Sequence, residues 1–206
     1  MRIAVIGAGN VGQACGKNWA GKGHTVRYGV RNPADGKYVG LSVASVADAA
    51  REAEAVLLAT PWPATEAAIR AAGDLTGKLL LDSTNPLMMG PDGLSLAVGH
   101  SISAGEIVAG WAKGAVMFKT LNTTGFGNMA DPGAYPQKPV MFFAGDDPLQ
   151  RGRVAALVGD LGFEPVDAGP LKNARLLEPH AMLWIDLAMK RGLGRNFAFA
   201  LTRRSS

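Results

Sequence analysis

The segment Gly7-Ala8-Gly9-Asn10-Val11-Gly12 stands directly behind the apolar run Arg2-Ile3-Ala4-Val5-Ile6, and nothing else constrains this chain as much. Three glycines at that spacing, between a strand and an apolar-periodic helix, answer three separate demands. Gly7 permits a tight strand-to-helix reversal. Gly9 removes a Cβ where a pyrophosphate would approach the backbone. Gly12 lets the helix pack close to the sheet. The first turn of such a helix carries free N–H groups and a partial positive charge, which suit an anion. The spacing alone is a weak sign; its place between strand and helix makes it a dinucleotide-binding signature. The competing reading is a glycine-rich turn that binds nothing.

The rest of the chain alternates in the same sense. Short apolar runs recur at Ile3–Ile6, Thr25–Tyr28, Ala55–Ala59, Lys78–Leu81, Val116–Lys119, Val140–Ala144 and Phe163–Val166. Unbroken runs of this length fit strands covered on both faces. Helix-like stretches separate them at Val11–Ala20, Val46–Glu52, Thr65–Ala72, Ala104–Ala112, Pro148–Leu161 and about Leu171–Lys190. Ser45 with Asp48 has capping-box spacing, and Pro148 follows Asp147 as a first-turn proline behind an N-cap. The pattern predicts an α/β fold: a Rossmann-type, doubly wound, mostly parallel sheet in one domain over 1–206. The part after about Val140 is expected to form a small C-terminal αβ extension. A further strand is expected at Gly40–Val43. Asn85–Gly93 and Thr123–Pro139 are rich in Gly and Pro and are expected to resist regular structure. Both follow strands, so both belong at the C-terminal edge of the sheet, where ligands bind in such folds.

Composition narrows the function. With 206 residues and 48% hydrophobic side chains the chain has ample core, which excludes disorder. A single cysteine, Cys15, excludes a disulfide framework and a thiolate metal cluster. His24, His100 and His180 lack metal-ligand spacing, so no metal is expected. His24 reads as a surface turn residue and His100 as the opening of a helical stretch. His180 reads as a core or interface residue, against a substrate contact. Ser83 and Ser101 have no neighbouring His and acid to make a hydrolase. The net charge of +4 suits an anionic small ligand and is too diffuse for nucleic acid. No apolar run reaches membrane-spanning length, and a cytoplasmic location is expected.

The second strand decides which dinucleotide. It runs Thr25-Val26-Arg27-Tyr28-Gly29 into Val30-Arg31-Asn32-Pro33, with no Asp or Glu where an NAD site places its ribose-binding acid. Arg31 lies 24 positions after Gly7, close to the usual offset of about 20. A guanidinium there pairs with the 2′-phosphate of NADP. Asn32 adds a hydrogen bond, and Lys37 reaches in from the following loop. Asp35, the nearest carboxylate, lies past Pro33 and out of reach. A solvated Arg at a strand end is the competing reading. Ala59-Thr60-Pro61-Trp62 ends another strand, where Thr60 and Pro61 would fix the nicotinamide ribose and Trp62 would wall the pocket. Asn85-Pro86, after Asp82-Ser83-Thr84, brings an amide for the ribose or carboxamide. Lys119-Thr120-Leu121-Asn122-Thr123 closes a third strand. These three ends, rich in Thr and Asn, are expected to converge on one crevice.

At these residues the chain resembles the deazaflavin (coenzyme F-420)-dependent NADP reductase family, nearly end to end. The likeness is carried by Gly7–Gly12, the Arg31 turn, Ala59–Trp62, Asp82–Leu87, Lys119–Thr123 and the tail Gly162–Gly169. The segment Leu171–Trp184, with Ala174-Arg175 and Glu178-Pro179, resembles the bacterial branch. The family often has Ser where Val30 stands, and its archaeal members carry Thr where Ala8 stands. The resemblance implies direct hydride transfer between NADP(H) and a deazaflavin or flavin-like acceptor, a reaction that asks little acid–base help of the protein. Alternatives are a reductase of another small electrophile and an NADP(H)-binding redox sensor without turnover. Relatives with the same Thr-Pro half-site carry a further helical domain of roughly a hundred residues, for which this length leaves no room. A second copy of the chain is therefore expected to complete the pocket as a homodimer. The run Ala181-Met182-Leu183-Trp184 through Met189 reads as a core or dimer stripe.

Overall fold

A computed structural model describes residues 1–91 and 93–204. Its centre is β1 (Arg2–Ile6), buried at every position but the first. On one flank lie β2 (Thr25–Val30) and β3 (Val43–Ser45). On the other lie β4 (Ala55–Leu58), β5 (Leu79–Asp82), β8 (Val116–Thr120), β9 (Val140–Gly145) and β10 (Glu164–Asp167). The order is β10-β9-β8-β5-β4-β1-β2-β3. Pairing is parallel from β3 to β8; β9 is antiparallel to β8, and β10 runs with β9. The sheet is thus the expected doubly wound one, with two reversed strands at its C-terminal flank.

Alternation along β1 shows why the strands read as unbroken apolar runs. Ile3 and Val5 join the core under α1 (Asn10–Gly21) and α6 (Arg151–Asp160), with Trp19, Leu157 and Phe163. Ala4 and Ile6 join the core under α2 (Val46–Glu52), α3 (Trp62–Ala72) and α4 (Ala104–Trp111), with Leu58, Ile69 and Val108. Both faces are covered, so neither can be polar. Cys15 lies in the first core, where burial pushes its thiol up to about 12.

Several boundaries differ from expectation. The first Gly- and Pro-rich stretch contains a hairpin, β6 (Leu87–Gly90) with β7 (Gly93–Leu96), which packs on α7 (Ala174–Met189). The second contains the short helix α5 (Phe126–Ala130). Composition hides both, because their support is tertiary. β3 begins at Val43 instead of Gly40, because its pairing partner Tyr28 sets the register. α3 starts earlier, at Trp62, with a proline in its first turn. α6 starts later, because Asp147 accepts the Leu149 N–H and closes a turn before the helix. A 3₁₀ turn at Leu171–Asn173 precedes α7. His100 stands in a left-handed turn (φ 65°) ahead of α4.

Ser103 caps α4 in a capping box with Glu106, and Arg175 of α7 grips the Glu106 carboxylate at 2.8 and 2.7 Å. The Arg175 guanidinium, helped by Ser103, holds the Glu106 carboxyl down to about 2 from its ordinary 4.5. A carboxyl depressed on folding stabilises above its ordinary value and loses that contribution as pH falls toward the folded one. Acid titration of the urea midpoint should therefore show a loss between about pH 5 and pH 2 that Glu106→Gln flattens. An unchanged slope would mean that this staple between α4 and α7 contributes nothing.

Candidate functional site

Register builds the site. Ile6 lies opposite both Gly29 and Leu58, Leu58 opposite Asp82, and Asp82 opposite Lys119. The residues that follow, Gly7, Val30, Ala59, Ser83 and Thr120, therefore emerge along one edge. The chain winds to opposite sides of β1 at this point, which opens a crevice between β1 and β4.

The three glycines of the turn have different causes. Gly7 has φ +104°, and a Cβ there would stand 2.5 Å from the Ala59 carbonyl oxygen. A Cβ on Gly12 would collide with the Gly7 carbonyl and stand 3.0 Å from Val5. Both are dictated by the protein's contact with itself. Gly9 is not: its backbone is extended (φ −79°), and no atom lies within 4 Å of where its Cβ would be. The open space at Gly9, against the uncapped N-terminus of α1, fits a pyrophosphate lying on the backbone.

A cleft of about 450 Å³ starts there. Its walls are Gly9, Asn10 and Val11, then Ala59, Thr60, Pro61, Trp62 and Pro63, then Ser83, Thr84 and Asn85, with Leu87 and Phe126 across from them. No ionisable side chain is among them. Trp62 stacks on Trp111 at 5.4 Å. The Thr60 hydroxyl meets that of Thr65 at 3.1 Å, and Thr65 donates to the Pro61 carbonyl. Asn85 and Asn122 exchange hydrogen bonds: Asn85 Nδ2 donates to the Asn122 carbonyl at 2.9 Å, and Asn122 Nδ2 to Asn85 Oδ1 at 3.1 Å.

Of the residues singled out from the sequence, Gly9, Asn10, Val11, Ala59, Thr60, Pro61, Trp62 and Asn85 line this cleft. Gly7, Ala8 and Gly12 frame the turn, where the Ala8 carbonyl accepts from Gln13 at 2.9 Å. Pro86 is buried outside the cleft wall, its carbonyl accepting the Ala97 N–H at the hairpin base. Val30 is 4% exposed, so its side chain belongs to the core. Arg31 and Asn32 stand exposed beyond β2, outside the cleft. Asn32 Oδ1 accepts the Ala34 N–H and shapes its own loop. Among the described residues Arg31 has no hydrogen-bond or ion-pair partner. Lys37 does, at 2.6 Å from Asp35, so the loop neutralises the lysine expected to help.

The third strand end does not reach the crevice. Lys119, Thr120, Asn122 and Thr123 are buried. β9 pairs back along β8 and α7 covers the junction, so the Thr120 hydroxyl donates to the Phe142 carbonyl and Asn122 to that of Leu177. Lys119 instead bonds Asp82 and Glu178 beneath the cleft. His180 is wedged between Phe142 and Phe199, where burial pushes its imidazole down. Trp184 stacks on Phe197 of the C-terminal tail, while Leu183 and Met189 stay exposed. Sequence reasoning did not assign Ser83, Thr84, Leu87 or Phe126 to the cleft. Ser83 and Thr84 were within reach, since they sit between Asp82 and Asn85; Phe126 has no local signal.

Known proteins share the sequence and fold described above. Residues 2–86 match the family described as NADP oxidoreductase, coenzyme F420-dependent. A candidate F420-dependent NADP-reductase from Arthrobacter sp. FB24 superimposes on 98% of this chain and 100% of its own, with a TM-score of 0.89 and 32% identity. A hypothetical protein from Sinorhizobium meliloti covers 86% of this chain and 90% of its own, at TM-score 0.73 and 28% identity. The fold extends to a reductive aminase from Aspergillus terreus solved with NADPH, at TM-score 0.68 and 18% identity; the match takes in 93% of this chain and 62% of that enzyme. At 32% identity over the whole of one relative, and with the family's own segment at residues 2–86, this chain belongs to the coenzyme F420-dependent family of NADP oxidoreductases.

Proposed function

We propose that the chain carries NADP(H) across the crevice and passes hydride between it and a deazaflavin or flavin-like acceptor. The pyrophosphate lies on Gly7–Gly12, against the N-terminus of α1. Arg31 meets the 2′-phosphate. The nicotinamide half enters the cleft between Ala59–Pro61 and Ser83–Asn85. When bound, the coenzyme supplies the hydride; the protein binds, orients and excludes water. The observation that carries this reading is the cleft wall, which has no ionisable side chain. Chemistry there must be that which coenzyme and acceptor bring themselves. Thr60, held by Thr65, and Asn85, held by Asn122, are the groups that orient the ring.

Turnover tests it: NADPH oxidation is followed with a deazaflavin, FMN, FAD and simple quinones. Tight NADPH binding without consumption of any acceptor would replace the enzyme by a redox sensor, a reading the same unionised wall also suits. Arg31→Ala should weaken NADPH roughly 10- to 100-fold, the range of a charge-assisted contact, and leave NADH nearly unchanged. Equal losses in calorimetry would remove Arg31 from the 2′-phosphate. Exposed Leu176, Leu183 and Met189 on α7 support the homodimer expected from the sequence; a monomer by sedimentation at micromolar concentration would count against it.

A further inference from the structure

Asp82, Lys119 and Glu178 are fully buried and form one ion network under the cleft. The Lys119 ammonium donates to Asp82 Oδ2 at 2.9 Å and to the Thr84 carbonyl at 2.5 Å, and it pairs with the Glu178 carboxylate, Oε1 at 3.1 Å. Asp82 Oδ1 accepts the Thr84 N–H at 2.8 Å. Glu178 accepts the N–H groups of Ala104 and Gly105, both at 2.9 Å, at the start of α4. Thr84 is thus gripped through its own N–H and its own carbonyl.

The residue so gripped is part of the cleft wall and is 3% exposed. Its hydroxyl is buried without a hydrogen-bond partner. Ser83 donates to the Leu58 carbonyl at 2.8 Å, Asn85 pairs with Asn122, and Thr60 with Thr65. A buried hydroxyl with no partner destabilises the chain, whereas Val would fill the same shape without that penalty. No hydrogen bond pins the hydroxyl in its rotamer. A turn about χ1 between staggered wells exchanges hydroxyl and methyl while the backbone stays clamped.

We propose that the Thr84 hydroxyl is a hydrogen-bonding contact to the nicotinamide half of the bound coenzyme. Asp82, Lys119 and Glu178 are the positioning residues that hold it. This rests on the coenzyme reading above. Arg31 follows β2, on one side of β1, and places the adenosine end there; Thr84 follows β5, two strands away on the other side. The group recognised is neutral and polar, a carboxamide or a ribose hydroxyl, since the surrounding wall has no charge to meet an ion.

The test compares the parent with Thr84→Val and Thr84→Ser, using NADPH and 2′,5′-ADP as ligands and the melting temperature of the free chain. The fragment keeps the adenosine 2′-phosphate and lacks the nicotinamide half. Thr84→Val is expected to melt higher than the parent, to bind NADPH roughly tenfold more weakly, and to bind 2′,5′-ADP equally well. Thr84→Ser restores NADPH binding. Undiminished NADPH binding by Thr84→Val overturns the proposal. So does an equal loss of both ligands with a lower melting temperature, which would mark Thr84 as structural. If the parent binds neither ligand, the coenzyme reading fails first and the proposal falls with it.

Discussion

Replacing Lys119 by Met should lower the unfolding free energy by about 3–5 kcal/mol, the loss seen when one partner of a buried ion pair is removed. The side chain is 0% exposed and, among the described residues, is the only cation between Asp82 and Glu178. Met has similar length and leaves no large cavity, so the loss is electrostatic. Two buried carboxylates would remain, faced among the described residues only by the N–H groups of Thr84, Ala104 and Gly105. With Lys119 present the network already has two carboxylates to one ammonium. The N-terminus of α4 supplies the balance, through two N–H groups and the positive end of its dipole. Urea denaturation at neutral pH measures the effect; a loss below about 1 kcal/mol would mean that water or a proton replaces the ammonium without penalty. The same variant frees the Thr84 carbonyl and should loosen the cleft wall.

Gly9→Val should abolish NADPH binding in calorimetry while the chain stays folded. The extended backbone at Gly9 admits Val, and nothing within 4 Å opposes its Cβ. The only intrinsic penalty is a poorer N-cap for α1, about 1 kcal/mol or less against Gly. The added side chain would fill the space proposed for the pyrophosphate. The neighbouring glycines are the control. A Cβ at Gly12 meets the Gly7 carbonyl inside the protein, so Gly12→Ala should damage folding and binding together. A folded Gly9→Val chain that still binds NADPH would move the pyrophosphate off this turn.

The contrast between these two glycines shows how far the sequence could be read. The spacing already separates Gly9, for a ligand, from Gly7 and Gly12, for the turn and the packing; the structure adds the atoms, the Ala59 and Gly7 carbonyls against Gly7 and Gly12, and empty space at Gly9. The strands were legible for a related reason. A strand covered on both faces is apolar wherever no buried partner answers a polar side chain, as Ile3 to Ile6 are, so burial leaves a local mark. The hairpin at Leu87–Leu96 left none, because its short strands are held by pairing and by α7 instead of by composition. Lys119-Thr120-Leu121-Asn122-Thr123 misled for the opposite reason. Its polar residues resemble a ligand-binding strand end, yet their partners are Asp82, Glu178, Phe142 and Leu177, from elsewhere in the chain.

Local order alone determined the strand-turn-helix opening, the Rossmann alternation and the placing of Arg31 after the second strand. Each depends on residues within one or two turns of chain, where steric and burial rules act directly. The tertiary structure decided which polar side chains face the cleft and which are consumed in supporting it. That choice depends on register and on partners far along the chain, 37 positions apart in the case of Lys119 and Asp82, and no short-range pattern encodes a distance of that kind.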